Sequence, residues 1–273
     1  MKIINNPQDL KTYLKQQNKS IGFVPTMGAL HDGHVSLIGE ARKNNDLVVV
    51  SIFVNPTQFS KGEDLDKYPK KDEADKKICL LAGVDVLFFP QAGDVYTKDE
   101  VSILAPNIRG FVLEGMSRPS HFNGVLTVVM KLLNMVKPTH AYFGKKDAQQ
   151  LNLISLMVKQ YFMDVIIVPV DTVRESDGLA RSSRNIYLSE SERKEALKIS
   201  TSLKHCANLV SKNILDTKII IKQMREKLEP LEIFYVEILN KDFELIDEVE
   251  LSNTVVLVEV KVGETRLLDN IWL

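Results

Sequence analysis

The central segment of this chain is Pro25-Thr26-Met27-Gly28-Ala29-Leu30-His31-Asp32-Gly33-His34. The apolar run at residues 21–24 precedes it and apolar residues at helical spacing follow it, so it is a turn from a strand into a helix. We expect Asp32 to cap that helix by accepting backbone N–H bonds. Gly28 and Gly33 allow the backbone to come close to whatever binds at the turn.

The start of this helix favours an anion, because the first N–H groups of a helix have no partner within it. His31 and His34 are three residues apart, so both imidazoles fall on one side of the helix start and can donate to phosphate oxygens. The competing interpretation is a common glycine-containing turn with two surface histidines. Zinc is less favoured, since no cysteine lies near. The turn is therefore a candidate phosphate site.

The composition is that of an ordinary globular protein, with 273 residues, 44% hydrophobic and 26% charged, and a net charge of −1. This length suits one large or two smaller domains. The small net charge gives no support for a nucleic-acid or membrane partner. Cys79 and Cys206 suggest no disulfide framework, and residues 1–10 lack a signal-peptide pattern. We therefore expect a cytoplasmic protein.

Strand-like and helix-like segments alternate over the first 170 residues. The expected strands after the first are residues 47–54, 84–89, 139–143 and 165–170, with a possible strand at 101–104. Helices are expected between them, together with a charged, solvated segment at 60–77 and a loop at 114–119. In that loop Arg118 could bind an anion, but a solvated arginine is favoured. The alternation indicates a doubly wound, Rossmann-like parallel sheet, an α/β fold.

The pattern changes after residue 170. Residues 171–185 are polar and carry the cluster Arg181-Ser182-Ser183-Arg184. Two helices, at 189–212 and 217–229, and two strands, near 232–239 and 254–262, are expected after it, without the earlier alternation. We therefore expect a Rossmann-like domain at residues 1–174 and a smaller α+β lid domain at 175–273, with the cluster at the hinge.

Polar residues follow two of the expected strands at the edge where open α/β sheets bind ligands. Asn55 and Gln58 carry uncharged amides, which suit a hydroxylated substrate, although turn capping is the alternative. The second cluster consists of Lys146, Asp147 and Gln150. Together with the histidines and the arginine–serine cluster, these residues could stabilise charge on a triphosphate and on departing pyrophosphate. The sequence contains no P-loop motif.

Residues 25–34 are the first of an ordered set of motifs. The others are Ser51–Phe59, Glu114-Gly115, Arg118-Pro119, His121-Phe122, Phe143-Gly144, Lys146-Asp147, Gln149-Gln150, Ser182–Asn185 and Thr265–Asn270. The whole set resembles the pantothenate synthetase (pantoate–β-alanine ligase) family. Residues 25–34 also resemble the His-x-Gly-His motif of the wider superfamily of nucleotidylyltransferases and class I aminoacyl-tRNA synthetases.

The resemblance implies the condensation of pantoate with β-alanine, using ATP and Mg²⁺ and releasing AMP and pyrophosphate. Pantoate would attack the α-phosphorus of ATP, and the β-alanine amine would then attack the pantoyl adenylate. A carboxylate is already ionised near neutral pH, so the first step needs charge stabilisation and in-line positioning rather than a base. The family also suggests a homodimer. The Mg²⁺ ligands are not located by the sequence, and ATP oxygens and water can supply most of them.

The resemblance also implies roles for individual residues. Its catalytic residues would be His31, His34 and Lys146, with His34 as a proton donor. ATP would be bound by Met27, Gly28, Ala29, Leu30, His31, Asp32, Gly33, His34, Gly144, Lys145, Lys146, Asp147, Val173, Arg181, Ser182, Ser183 and Arg184. Pantoate would be held by Gln58 and Gln150, with Gln58 also meeting β-alanine and Asn55 beside it in the substrate site.

Two positions depart from the family's pattern. Lys145 stands where many members carry Glu or Gln, and Arg181 stands where an apolar residue is usual. Either cation could tighten ATP binding or face solvent, and solvent is favoured for Lys145. Two other functions stay open: a nucleotidylyltransferase that stops at an adenylated product, against which the pair Gln58 and Gln150 argues, and a regulator that binds ATP without turnover.

Overall fold

The computed structural model describes residues 1–60 and 63–273. The expected solvated segment at 60–77 therefore lies partly outside the described residues, at 61–62. The described chain divides into two compact units. The first unit comprises Met1–Gly144 with Leu153–Asp171, and the second comprises Lys145–Asn152 with Thr172–Leu273.

A parallel sheet is the centre of the first unit. Its strands in the described part of the chain are β1 (Lys2–Ile4), β2 (Ile21–Thr26), β3 (Leu47–Ile52), β4 (Val86–Phe88), β5 (His140–Gly144) and β6 (Ile166–Val170). The spatial order is β1-β4-β3-β2-β5-β6, and every neighbouring pair is parallel. The expected doubly wound sheet is thus confirmed. Its order reverses between β2 and β5, and ligands bind at the carboxyl ends of strands at such a point.

Helices connect these strands and cover the sheet. Their bounds are α1 (Pro7–Lys15), α2 (Asp32–Asn44), α3 (Asp72–Leu81), α4 (Ala92–Val95), α5 (Glu114–Ser117), α6 (His121–Val136) and α7 (Ala148–Gln160). All six residues of β3 are buried, as a strand covered on both faces requires. Val48 and Val50 of β3 pack in one cluster with Ile38 and Ala41 of α2. This packing fixes the start of α2 beside the carboxyl end of the sheet.

Two expectations about the middle of the chain are wrong. Residues 101–104 form no strand, because the N–H of Ile103 binds the hydroxyl of Thr127 on α6 at 2.9 Å rather than another strand. Part of the expected loop at 114–119 is the short helix α5. The strand β1 was not expected, since three residues are too few to show a periodic pattern.

The second unit is an α+β arrangement. Its elements are α8 (Glu190–Ser211), α9 (Thr217–Leu228), β7 (Glu232–Asn240), β8 (Thr254–Val262) and β9 (Thr265–Trp272). The strands form an antiparallel sheet in the order β7-β8-β9, and β9 was not expected from the sequence. Ser189 begins α8 with a capping box, in which Glu192 accepts the N–H of Ser189 at 2.8 Å.

The apolar faces of α8 and α9 close the second unit's core against its sheet. Ile199 of α8 and Ile220 of α9 are buried in one cluster with Val256 and Val258 of β8. A separate core of this kind lets the second unit hold its own loops in place. No helix in the described ranges is long and apolar enough to cross a membrane.

Candidate active site

Helix α2 begins with a histidine cap. His31 has an extended backbone, with φ −141°, and its Nδ1 accepts the N–H of Gly33 at 3.1 Å. In return, Nδ1 of His34 accepts the N–H of His31 at 3.2 Å. The expectation that Asp32 caps this helix is wrong, because His31 takes the capping position and Asp32 is already the first helical residue. The two histidines therefore satisfy two N–H groups of the turn.

These two bonds assign the tautomer of each ring. A ring nitrogen that accepts an N–H carries no proton itself, so each imidazole places its proton on Nε2. The ring centroids of His31 and His34 are 4.2 Å apart. Two N–H donors thus lie side by side at the start of α2, where the helix dipole also favours an anion. The sequence prediction of paired donors at one side of the helix start agrees with this geometry.

Gly33 allows the ring of His31 to fold back over the helix start. A Cβ atom at this position would lie 2.9 Å from Cε1 and 3.0 Å from Nδ1 of His31. Any side chain at residue 33 would therefore push the ring out of its capping position. Gly33 is therefore required for a steric reason in the turn formed by residues 25–34, the signature turn. The sequence alone indicated only that the backbone could come close to a ligand there.

A buried carboxylate holds the backbone of the turn at residues 25–34. Asp75 of α3 is 1% exposed, and its two oxygens accept the N–H groups of Ala29 and Leu30 at 2.8 Å each. Burial raises the pKa of Asp75, and the two N–H bonds oppose that rise. Asp75 was missed because it stands in the charged segment expected to be solvated. Its spacing of four residues from the buried Cys79 was the available signal for an inward-facing position.

Asn55 and Gln58 lie together after β3, as the sequence predicted. The amide nitrogen of Asn55 donates to Oε1 of Gln58 at 3.1 Å and to the carbonyl of Gly124 at 3.2 Å. Its amide oxygen accepts from the hydroxyl groups of Tyr96 at 2.8 Å and Thr57 at 3.0 Å. Asn55 is 1% exposed, so its amide is committed to the protein and orients the amide of Gln58. The capping interpretation of Asn55 is thus part of its role.

The turn of Gln58 is also tied to the signature turn. The side-chain amide nitrogen of Gln58 contacts Sδ of Met27. Thr26 joins the same region, since its hydroxyl donates to the carbonyl of Ser51 at 2.8 Å. The carboxyl ends of β2 and β3 therefore carry one connected set of polar groups, and the two clusters that the sequence placed there are brought together.

A buried ionic cluster supports Gln58 from the other side. Arg118 is 4% exposed and binds both carboxylate oxygens of Glu63, at 2.8 and 2.9 Å, and Glu114 at 2.9 Å. Its remaining contacts include Nε2 of His121 at 2.9 Å and the carbonyl of Gln58 at 3.4 Å. The expectation of a solvated Arg118 is wrong, because the two glutamates compensate its charge in the interior.

His121 acts in this cluster as a neutral ring. Burial lowers the pKa of His121, and the charge of Arg118 lowers it further, while Glu114 opposes the shift. Its Nδ1 lies 2.7 Å from the carbonyl of Gln58 and donates to it, which leaves Nε2 to accept from Arg118. These contacts give His121 a structural role, which is to hold the backbone of Gln58.

Helix α6 contacts the Gln58 turn without any intervening side chain. A Cβ atom on Gly124 would lie 2.3 Å from the carbonyl oxygen of Thr57 and 2.6 Å from the backbone nitrogen of Gln58. Real Cβ atoms do not approach backbone this closely, so only glycine fits here. The helix that carries His121 is therefore in direct backbone contact with the candidate substrate turn.

In the second unit, Asn270 of β9 holds the turn that follows β5 in the chain. Its amide nitrogen donates to the carbonyls of Lys145 at 2.9 Å and Lys146 at 2.6 Å. The neighbouring Asp269 accepts a two-pronged bond from Arg174, at 2.6 and 3.0 Å. The sequence matched Asn270 only as part of a motif and gave it no role. Its contacts define that role as a clamp on the lysine turn.

Lys146 and Asp147 are within 3.3 Å of each other, measured from Nζ to Oδ1. Both side chains are partly exposed, and Gln150 is half-buried in the first turn of α7. Lys145 is half-buried. These residues form one short polar segment, as their sequence spacing predicted.

The loop from Val173 to Asn185 is closed by its own contacts. The N–H of Arg181 donates to the carbonyl of Val173 at 2.9 Å, and Glu175 accepts from Asn185 at 2.9 Å and from Arg193 at 2.6 Å. Arg181 lies 3.8 Å from Glu175, so its extra charge faces a carboxylate. The hydrogen bonds from Asn185 and Arg193 lower the pKa of Glu175 in spite of its burial.

Ser182 begins the short helix Ser183–Tyr187. Its hydroxyl oxygen accepts the N–H of Arg184 at 3.3 Å. A hydroxyl that accepts in this way still has its hydrogen to donate, which is the property expected of a phosphate contact. In the described ranges, no group of three or more His, Cys, Asp or Glu side chains is arranged to hold a metal.

A doubly wound parallel sheet binds ligands where its strand order reverses, and the paired imidazole donors of His31 and His34 at that point suit an α/β protein of the nucleotide-binding class. The model of the pantoate–β-alanine ligase family matches residues 2–272. The chain therefore belongs to the pantoate–β-alanine ligase family. It is a ligase, and the family's reaction is the ATP-dependent condensation of pantoate with β-alanine.

Individual relatives agree with this assignment over their full length. The pantothenate synthetase of Sulfurimonas denitrificans is 68% identical and that of Aliarcobacter butzleri 52% identical, each over all of both chains. The crystal structure of pantothenate synthetase from Thermus thermophilus superposes with a TM-score of 0.95 at 36% identity, covering 99% of each chain. The Francisella tularensis ligase, complexed with β-γ ATP and β-alanine, gives a TM-score of 0.83 at 35% identity, covering 100% of this chain and 97% of its own.

Proposed function

We propose that the chain activates pantoate with ATP to give pantoyl adenylate and pyrophosphate, and then transfers the pantoyl group to β-alanine with release of AMP. The observation that carries this proposal is the pair of Nε2–H donors of His31 and His34 at the start of α2. Donors fixed before the reaction stabilise the charge that develops on the phosphates without having to reorganise. The complex of the Francisella tularensis ligase with β-γ ATP and β-alanine supports these two substrates.

The first unit would hold the reacting groups. His31 and His34 would donate to ATP phosphates, with His34 as the proton donor, and residues Met27–His34 would line the nucleotide site. Gln58 would bind pantoate and β-alanine through its amide, while Asn55 and His121 fix that amide and its backbone. A hydroxy acid offers both donors and acceptors to an amide, which makes a glutamine a suitable partner.

Residues from the end of β5 onward would add further contacts to ATP and pantoate. Lys146 would bind phosphate, Asp147 the ribose and Gln150 pantoate, with Gly144 and Lys145 in the same turn. The backbone of Val173 would meet adenine. The loop Arg181–Arg184, which includes Ser182 and Ser183, would bind phosphate. The clamp from Asn270 to the carbonyls of the lysine turn supports this assignment, because it fixes the backbone from which the Lys146 side chain extends.

Mg²⁺ would bind together with ATP. The signature turn offers imidazole nitrogens, whereas Mg²⁺ prefers hard oxygen ligands and retains several waters. We therefore assign its ligands to phosphate oxygens and water, where the ion would neutralise phosphate charge.

Three further parts of the proposal concern the whole protein. A homodimer would be seen by sedimentation equilibrium as twice the chain mass. A lid role for residues 175–273 would be seen as a smaller radius of gyration in solution scattering when ATP and pantoate are added. A cytoplasmic location is supported by the cysteines, because Cys79 and Cys206 are both buried and free of disulfide bonds in the structure, as suits a reducing compartment.

The test measures pyrophosphate and AMP release from ATP, Mg²⁺ and pantoate, with and without β-alanine. Pyrophosphate release that requires pantoate, together with sustained AMP formation that requires β-alanine, supports the ligase. Steady pyrophosphate release with another acceptor and without AMP would instead indicate a nucleotidylyltransferase. ATP binding without any turnover would indicate a regulator.

The role of the imidazole pair is tested by His34→Ala. Loss of one preorganised donor typically slows the step it serves by about 10²–10³-fold, so pyrophosphate release should fall by that factor. His205→Gln is the control, because His205 contacts Gln223 within the second unit and takes no part in the proposal. Pyrophosphate release by His34→Ala at the normal rate would show that the assigned role is wrong.

A further inference from the structure

Asp75 joins the middle of the signature turn although 45 residues separate it from Leu30 in the sequence. Its Oδ2 accepts the N–H of Ala29 and its Oδ1 accepts the N–H of Leu30, both at 2.8 Å. The side chain is 1% exposed. A carboxylate that gives one oxygen to each of two successive N–H groups fixes both peptide planes at once. Asp75 thus sets the direction in which the chain enters α2.

The turn needs such support because its backbone is unusual. Gly28 has φ +86° and Ala29 has φ +50°, and the second value is in the left-handed region that residues with a Cβ rarely adopt. Surrounding contacts must stabilise a conformation of this kind. The two N–H groups that bind Asp75 belong to Ala29 itself and to the next residue, Leu30, so these bonds stabilise the backbone where it is unusual.

The same bonds decide which groups of the turn meet a ligand. The N–H groups of Ala29 and Leu30 donate to Asp75, that of His31 donates to His34, and that of Gly33 donates to His31. These backbone groups are therefore engaged within the protein. In both histidine rings Nδ1 takes part in these bonds, and Nε2 lies on the side of the ring away from them.

We propose that Asp75 is a positioning residue for adenylate formation, which holds the signature turn so that His31 and His34 present their Nε2–H groups to the phosphates of ATP. The inference rests on the proposed role of the two histidines. Because Asp75 is 1% exposed and bonds to Ala29 and Leu30, it would act through the turn rather than by touching a substrate. Ala29 and Leu30 would accordingly contribute shape to the nucleotide site rather than backbone donors.

Asp75→Asn tests this role with little change in volume. The new amide would turn an N–H₂ group toward one of the two backbone N–H groups, so one bond would be lost and two donors would face each other. We expect the single-turnover rate of pyrophosphate release at saturating ATP and pantoate to fall about 10–100-fold. The KM for pantoate should stay within about twofold, because the Gln58 turn is left intact. Glu73→Gln is the matched control, since Glu73 lies on the same helix with its side chain 88% exposed.

A double-mutant cycle separates positioning from simple damage to the fold. If Asp75 acts through the histidines, Asp75→Asn should slow a His34→Ala background by less than about threefold. Equal effects of Asp75→Asn in the two backgrounds would overturn the proposal. If His34→Ala alone has no effect, the proposed role of the histidines fails first, so the two failures are distinguishable.

Asp75→Glu covers the case in which the asparagine variant does not fold. It keeps the charge and moves the carboxylate by one methylene group, so the same cycle can be measured on it. The ¹⁵N spectrum of the histidine rings adds a direct readout, because displacement of the turn should change the fixed tautomers of His31 and His34. Wild-type ring signals together with wild-type rates in Asp75→Glu would overturn the proposal.

Discussion

Replacing Arg118 by methionine should destabilise the first unit strongly. The change leaves Glu114, with a side chain 9% exposed, and Glu63, at 18%, without their cation. Removal of one partner from a buried ion pair costs about 3–5 kcal/mol, and the partial exposure of Glu63 places this site near 3–4 kcal/mol. For a unit of this size, that loss corresponds to a fall in Tm of about 6–16 °C.

The assay is urea unfolding followed by far-ultraviolet circular dichroism, with calorimetry for Tm. Lys43→Met is the control, because Lys43 forms an exposed ion pair with Glu40, 69% and 38% exposed, and should cost under about 0.5 kcal/mol. Adding Glu63→Gln and Glu114→Gln to Arg118→Met removes the uncompensated charges and should recover part of the lost stability. A cost under about 1 kcal/mol for Arg118→Met would refute the reasoning and return Arg118 to the solvated role that its sequence context favoured.

Three further outcomes follow from other contacts. Gly124→Ala should raise the KM for pantoate and cost about 1–3 kcal/mol of stability, since its Cβ meets the backbone of Thr57 at 2.3 Å; an unchanged KM would contradict the packing argument. Burial lowers the pKa of His121 below its ordinary 6.5, so at a pH just below 6.5 the unfolded chain binds a proton at this ring that the folded chain does not. The free energy of unfolding should therefore fall as the pH drops below 6.5, by at most about 1.4 kcal/mol per pH unit. His121→Gln should flatten that part of the curve of unfolding free energy against pH, and an identical slope would contradict a neutral His121. Asn270→Ala should raise the KM for ATP and lower the free energy of unfolding by about 1–3 kcal/mol, because it leaves the carbonyls of Lys145 and Lys146 without their donor. Isothermal titration measures the affinity for ATP, and an unaltered affinity would show that Asn270 does not act on the nucleotide site.

Local features of the sequence were sufficient for the signature turn and the sheet. The apolar run before residues 25–34 and the continuous apolar strand at 47–54 specify parallel strands buried on both faces. The histidine turn and the pair Asn55 and Gln58 follow the carboxyl ends of these two strands. The spacing of His31 and His34 was enough to place both rings on one side of the helix start. These features depend on residues that are close together in the sequence, so they can be predicted from the sequence directly.

The burial of particular charged residues depends on contacts that are distant in the sequence. Asp75 and Arg118 stand in polar segments whose composition favours solvent, and both are inside because distant groups satisfy them: two backbone N–H groups for Asp75 and two glutamates for Arg118. The same holds for Asn270, whose partners lie more than 120 residues away. A buried charge is tolerated only where its partners converge, and that convergence depends on long-range folding rather than on local pattern.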